Sequence, residues 1–223
     1  MLWCSFAGDG PEAYALVEMA KRAALTNPIP LGPMRRLSVD QYRRMGQAGI
    51  LTADDNVELL EGFLVDKMTK NPPHRIATRK VRVALEAVIP PGWYVDTQEP
   101  IVTEDSEPEP DGAVIRGKTE DYLDENPSAA HVSLVVEVAD VTLLRDRRTK
   151  SRVYARAAIA SYWIVNLIDR CLEAYSDPLA GDPEPHYTSQ HIYREGDSVP
   201  VTVAGSQVGS VRVADLLPGE RKG

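Results

Sequence analysis

At 223 residues the chain is long enough for one domain with a sizeable core and a short appendage. No run nears the roughly 20 apolar residues of a membrane span, which excludes a helical membrane protein. Two cysteines, Cys4 and Cys171, exclude a disulfide scaffold and a cysteine metal site. Together with an opening segment that lacks the basic lead and apolar block of a secretory signal, they predict a reduced, cytoplasmic protein. The net charge of −8 argues against nucleic acid as a partner, but the charge is segregated. Lys67 to Arg82 carries six basic residues and no acid, and Arg145 to Arg156 carries six basic residues and one acid. Two readings stand: two solvated helix faces, or a surface that gathers a phosphate backbone.

Residues 1–33 read as an extension, with an amphipathic helix over Glu12–Leu25 broken by Asn27-Pro28-Ile29-Pro30. Met34 follows directly and is an alternative start. Residues 34–218 read as the main domain and 219–223 as a polar tail. Ser38-Val39-Asp40-Gln41 is a capping box opening a helix. Glu58 to Met68 reads as two short strands turned at Glu61-Gly62. Pro72-Pro73-His74 starts a helix with Ala77, Val81, Ala84, Leu85 and Val88 on one face and Arg75, Arg79, Arg82 and Glu86 on the other. Trp93 to Gln98 is a strand, continued past a break by Glu99 to Val102. An acidic turn, Glu107 to Asp111, enters a strand at Gly112–Ile115. Thr119 to Glu125 is a short polar helix. Val132 to Val138 is apolar without alternation, the mark of a strand covered on both faces. Arg145 to Ala158 is a helix with Arg148, Arg152 and Arg156 in an exposed stripe. Ser161–Asn166 and Arg170–Tyr175 read as strands, and the tail from His186 is strand-rich. The order predicts an α/β fold with a mixed central sheet flanked by helices.

Three residues suggest chemistry. Asp111 sits where a loop meets a strand, although Pro-Asp-Gly is also a good turn by itself. Glu137 lies near the end of a buried apolar strand, where a carboxylate is costly unless paired or metal-bound. Lys150 shares a helix face with Tyr154; the alternative is a surface lysine paired with Asp146. Taken together, Asp111 and Glu137 would hold Mg²⁺, with Mn²⁺ as the alternative, beside a phosphodiester, and Lys150 would orient the attacking water or neutralise growing charge.

The chain resembles the PD-(D/E)xK nuclease superfamily, and within it the Uma-two family of restriction-endonuclease-like proteins. The resemblance is carried by Leu37 to Tyr42, Val57 to Gly62, the helix start at His74, Gln98-Glu99-Pro100, Glu109-Pro110-Asp111, Val136-Glu137-Val138, the Asp146 to Lys150 spacing and Tyr162 to Val165. It implies a restriction-endonuclease-like fold, a divalent metal, DNA as substrate and a homodimer. It carries Asp111 and Glu137 over as metal-site residues. The superfamily pattern puts lysine two residues after the glutamate, where this chain has Ala139, so the lysine role falls to Lys150 from the next helix. Glu61 matches an acidic position that resembling proteins place near the site, and is equally a turn residue. His74 and Gln98 are further auxiliaries, and Arg75, Arg79, Arg148 and Arg152 are candidate nucleic-acid contacts. The alternative function is an inactive nucleic-acid-binding or dimeric module on the same fold.

Overall fold

The computed structural model describes residues 34–219 apart from Ala53 and Asp182. The expected helix over Glu12–Leu25, the rest of the extension to residue 33, Cys4 and the last four residues of the polar tail lie outside these. The chain divides into two compact units, residues 1–35 and 36–223, and the second is described here.

The unit opens with α1 (Val39–Gln47). Ser38 accepts from the Gln41 N–H and the Gln41 side chain accepts from the Ser38 N–H, so the capping box forms as expected. Such a cap contributes about 1 kcal/mol. A hairpin follows, β1 (Val57–Leu60) and β2 (Phe63–Asp66). Glu61 and Gly62 both take positive φ at its tip, 50° and 79°, the primed turn that matches strand twist. Helix α2 (Pro72–Glu86) is capped by Asn71 and buries Ala77, Thr78, Val81 and Leu85. Val81 and Leu85 are fully buried, each worth roughly 1.5–3 kcal/mol of apolar transfer.

Six strands form the central sheet: β3 (Trp93–Asp96), β4 (Gly112–Arg116), β5 (Val132–Ala139), β6 (Ser161–Asn166), β7 (Cys171–Leu179) and β8 (His186–Arg194), in that spatial order. Only β5 and β6 are parallel. A parallel pair needs a crossover. The crossover is α3, a continuous helix built from Leu143–Arg145, a π-helical turn Asp146–Lys150 and Ser151–Arg156. A last hairpin, β9 (Ser198–Val203) with β10 (Ser206–Arg212), packs on one face of the sheet.

The sheet separates two cores. Leu134, Val136 and Val138 of β5 face α2 and the β9–β10 hairpin, while Val135 and Ala139 face α3 and a tyrosine cluster. All eight β5 residues are therefore buried, which is why the strand shows no polar alternation. Two expectations are corrected. Glu99 to Val102 does not extend β3, because Gln98 has a positive φ of 62° and Pro100 lacks an N–H. Its N–H groups bond singly instead, Ile101 to the Pro108 carbonyl and Val102 to the Pro127 carbonyl. The polar helix is only a 3₁₀ turn, Thr119–Tyr122. Among the described residues no helix is long and apolar enough to cross a membrane.

Candidate active site

The register of the central strands builds the site. Gly112 of β4 lies opposite Val136 of β5, so Asp111, one residue before β4, stands across from Glu137. The Val138 N–H donates to Asp111 Oδ2 at 2.9 Å, tying the acidic turn to β5. Glu137 points to the α3 side. There Lys150 Nζ donates to Glu137 Oε1 at 2.9 Å and the Tyr154 hydroxyl donates to the same oxygen at 2.6 Å. The three residues read from the sequence, Asp111, Glu137 and Lys150, are thus brought together, each no more than 6% exposed.

The π-helical turn matters to this meeting. The Ser151 N–H reaches back five residues to the Asp146 carbonyl, and Asp146 and Lys150 both end up buried and lining one cavity. Single π turns of this kind recur at functional sites.

Glu58 completes the cluster and was not singled out from the sequence. Its Oε2 lies 3.1 Å from Lys150 Nζ and accepts the Glu109 N–H at 3.2 Å. The same logic that marked Glu137 applies to it: a carboxylate inside an apolar strand, Val57-Glu58-Leu59-Leu60, 1% exposed. Glu61 goes elsewhere. It pairs with Arg152 at 2.6 Å and Arg156 at 3.0 Å, outside the residues lining the cavity. The Arg152 hydrogen bond, offsetting burial, holds its carboxyl below the usual range.

His74 Nε2 lies 3.0 Å from Asp111 Oδ2 and donates to it. Proline at the first two helix positions and the Asn71 cap aim the first turn of α2 at the acidic turn. Gln98 reaches Asp111 Oδ1 only at 3.4 Å. Arg75 and Arg79 border a depression on the outer face of α2 together with Gln98, whereas Arg148 and Arg152 lie on α3, around a different depression. Arg148 is exposed, but Arg152 and Arg156 are half-buried in ion pairs, so the expected exposed stripe reduces to Arg148.

The cavity measures about 60 Å³ and is lined by Glu58, Asp111, Glu137, Asp146 and Lys150, with His74 at its side. That is room for a few waters or a partly hydrated ion, and not for a nucleobase. Its electrostatics are lopsided. Burial would lower the Lys150 pKa, but Glu137, Glu58 and Asp146 outweigh it and hold the ammonium charged. Burial raises Glu137, Lys150 opposes, and the Asp146, Asp111 and Glu58 charges add to the rise, leaving Glu137 at about 8. Burial likewise lifts Asp146 to about 6 against Lys150 and the Thr142 hydroxyl. Asp111 moves the other way: burial is overcome by His74, the Val138 N–H and Lys150, and its pKa is lowered. Four buried carboxylates share one ammonium, so the cluster is short of positive charge.

A family model described as "Putative restriction endonuclease", Uma2, matches residues 39–211, most of the chain and all of the sheet. The chain belongs to the Uma2 family. No curated protein matches this Uma2 chain. Among solved structures, it is similar to a protein from Anabaena variabilis described as a putative nuclease belonging to DUF820. The TM-score is 0.58 at 11% identity, over 81% of the Uma2 chain and 97% of the other. At that identity the likeness speaks for the fold, a mixed sheet with flanking helices. Function resides in the residues of the Uma2 cavity rather than in the fold.

Proposed function

We propose that this Uma2 protein is a divalent-metal-dependent endonuclease hydrolysing DNA phosphodiester bonds at the Asp111–Glu137–Lys150 cavity, and that it works as a homodimer, as the family resemblance implies. One observation carries the reading: two carboxylates from neighbouring strand ends and a charged lysine converge, buried, on one small polar cavity at the carboxyl end of β5, and strand ends of this kind are where α/β folds place ligands.

The donor set fits a hard cation. Its donors are carboxylate oxygens; burial chiefly raises Glu137 and the Asp146, Asp111 and Glu58 charges add to it, and a divalent ion would offset that added negative charge. Among the described residues no three His, Cys, Asp or Glu side chains form a ready metal cluster. Mg²⁺ commonly takes one or two carboxylates and fills its shell with water and phosphate oxygens, which agrees with Asp111 and Glu137 as its protein ligands. When bound, such an ion supplies Lewis-acid polarisation of a phosphate oxygen and a more acidic water.

The chain's own residues do the rest. Tyr154 and Lys150 both hold Glu137 Oε1, leaving Oε2 outside those two bonds. His74 and the Val138 N–H pin Asp111 Oδ2. Lys150 keeps its proton and offers fixed positive charge to a phosphate in the transition state. Arg145 lines the mouth, and its Nε is buried without a hydrogen-bond partner, a donor suited to a phosphate oxygen.

The test is cleavage of plasmid DNA by the full chain with Mg²⁺ or Mn²⁺, stopped by EDTA. Lys150→Ala should slow cleavage by about 10²- to 10³-fold, the usual scale for a lost transition-state charge partner. Full activity in Asp111→Asn and Glu137→Gln would overturn the assignment. The rival reading, a nucleic-acid-binding module without turnover, is favoured by one observation: Lys150 is already the counter-charge of Glu58 and Glu137. It predicts binding that weakens steeply with salt and no cleavage with any metal.

A further inference from the structure

We infer that a DNA strand leaving the cavity runs across α3, over an apolar lip of Met68, Val141 and Leu144, and that this lip receives unpaired bases. The preferred substrate is then DNA with unpaired nucleotides beside the cleaved phosphate. The cleavage part rests on the nuclease reading; the binding surface does not.

The surface is continuous. Met68, Val141, Thr142 and Arg145 line both the cavity and a shallow depression of about 440 Å³ on the outer side of α3. That depression in turn shares Arg148 with a wider one of about 620 Å³. The first two form one trench that starts at the buried carboxylates, and Arg148 stands between its outer end and the wider depression.

Its middle is apolar and open. Met68 is 50% exposed, Val141 71% and Leu144 62%. They come from three segments: the chain after β2, the link after β5, and the first turn of α3. Three large apolar side chains from separate segments in one concavity suggest an apolar ligand surface. Its ends are cationic. Lys70 at the cavity mouth and Arg148 at the far side are exposed, and neither joins an ion pair among the described residues. Arg152 and Arg156, further along, are already neutralised by Glu61 and Asp105, which leaves Arg148 as the phosphate contact beyond the lip.

The order cation, apolar lip, cation matches a strand with phosphates at both ends and bases turned inward. A closed duplex presents phosphates and sugars outward and keeps its base faces stacked, so it gives the lip nothing to cover. Unpaired bases do, by stacking and apolar contact. The cavity is too small for a base, which keeps the strand at the mouth and over the lip.

The test is fluorescence anisotropy of the full chain in EDTA, without turnover, with two labelled DNAs of one sequence: a closed duplex and the same duplex with a short central bubble. The wild type should bind the bubble about tenfold more tightly, within the range of one stacked base. Val141→Ser with Leu144→Ser should erase that preference and leave duplex affinity and melting temperature unchanged. Equal affinity of the wild type for both DNAs, or a preference that survives in the double variant, overturns the inference. So does a loss of dimer by the double variant in sedimentation, since the lip would then be an interface between copies. Because the readout is binding, a chain that cuts nothing but shows and loses the preference leaves the inference standing while the nuclease reading falls.

Discussion

Replacing Lys150 by methionine keeps the length of the side chain and removes the one ammonium buried between Glu137 and Glu58, 2.9 and 3.1 Å away. Removing one partner of a buried ion pair costs about 3–5 kcal/mol when the other stays charged. Here the cost depends on pH, and its sign follows from Glu137. That carboxyl has its folded pKa raised to about 8 against an ordinary 4.5. Below the ordinary value it is protonated in both states. As pH rises through about 8 the wild type must ionise it, and Lys150 is there to meet the charge. In the variant the folded pKa climbs further, so stability continues to fall where the wild type has levelled off. The loss measured by urea unfolding should therefore be larger at pH 9 than at pH 6, where Glu137 holds a proton and chiefly Glu58 is left bare. Adding Glu137→Gln should recover part of the loss at pH 9. A loss below about 1 kcal/mol at both pH values, the scale of an exposed pair, would refute the reasoning. A larger loss at pH 6 than at pH 9 would also refute it.

Tyr154→Phe should cost about 1–2 kcal/mol, because Glu137 Oε1 loses a buried donor, and calorimetry should show weaker Mn²⁺ binding. Arg147→Ala should cost about 1–3 kcal/mol by chemical denaturation: Arg147 is partly exposed, but Glu173 is fully buried and would keep only the Asn166 and Tyr175 bonds. Gly62→Ala should lower stability by at least about 1 kcal/mol, since φ is 79° there and a Cβ would meet Arg36 Cβ at 2.6 Å. An unchanged melting temperature would show that the hairpin tip relaxes. At acid pH, Asp111 acts in the opposite sense to Glu137. Its folded pKa is lowered from 3.8, so its contribution is full above 3.8 and is lost as pH falls below. Asp111→Asn should flatten the acid limb of a stability–pH curve.

Much of the frame was legible because each signal had a direct physical cause. The Ser38 box, the prolines before His74, the Glu61-Gly62 turn and the unbroken apolar run of β5 all form as read. Asp111, Glu137 and Lys150 meet for the reasons that pointed to them: an acidic turn entering a strand, a carboxylate in a buried run, and a lysine spaced four from an apolar tyrosine. What escaped notice depends on neighbours remote in sequence. Glu61 is nearer the turn and drew attention, yet it faces Arg152 and Arg156 from α3, while Glu58 sits inside. The buried-carboxylate argument would have found Glu58, and Glu173 in β7 as well. Arg152 reads as a free cation until the partner supplied from 91 residues away is known. The end of β3 was missed because a non-glycine residue with positive φ, Gln98, leaves no mark in composition.

The wide turn at Asp146–Lys150 also sets how the crossover tolerates change. An ordinary helix has one angular phase from end to end, so a shift that suits its beginning must be carried to its finish. The extra residue decouples the two halves: Leu143 packs on the core and Leu144 stays exposed, while Val153 and Tyr154 keep their seat in the core. Deleting a single residue between Arg147 and Thr149 would restore a uniform pitch and swing the lysine away from Glu137 without altering any group that touches it.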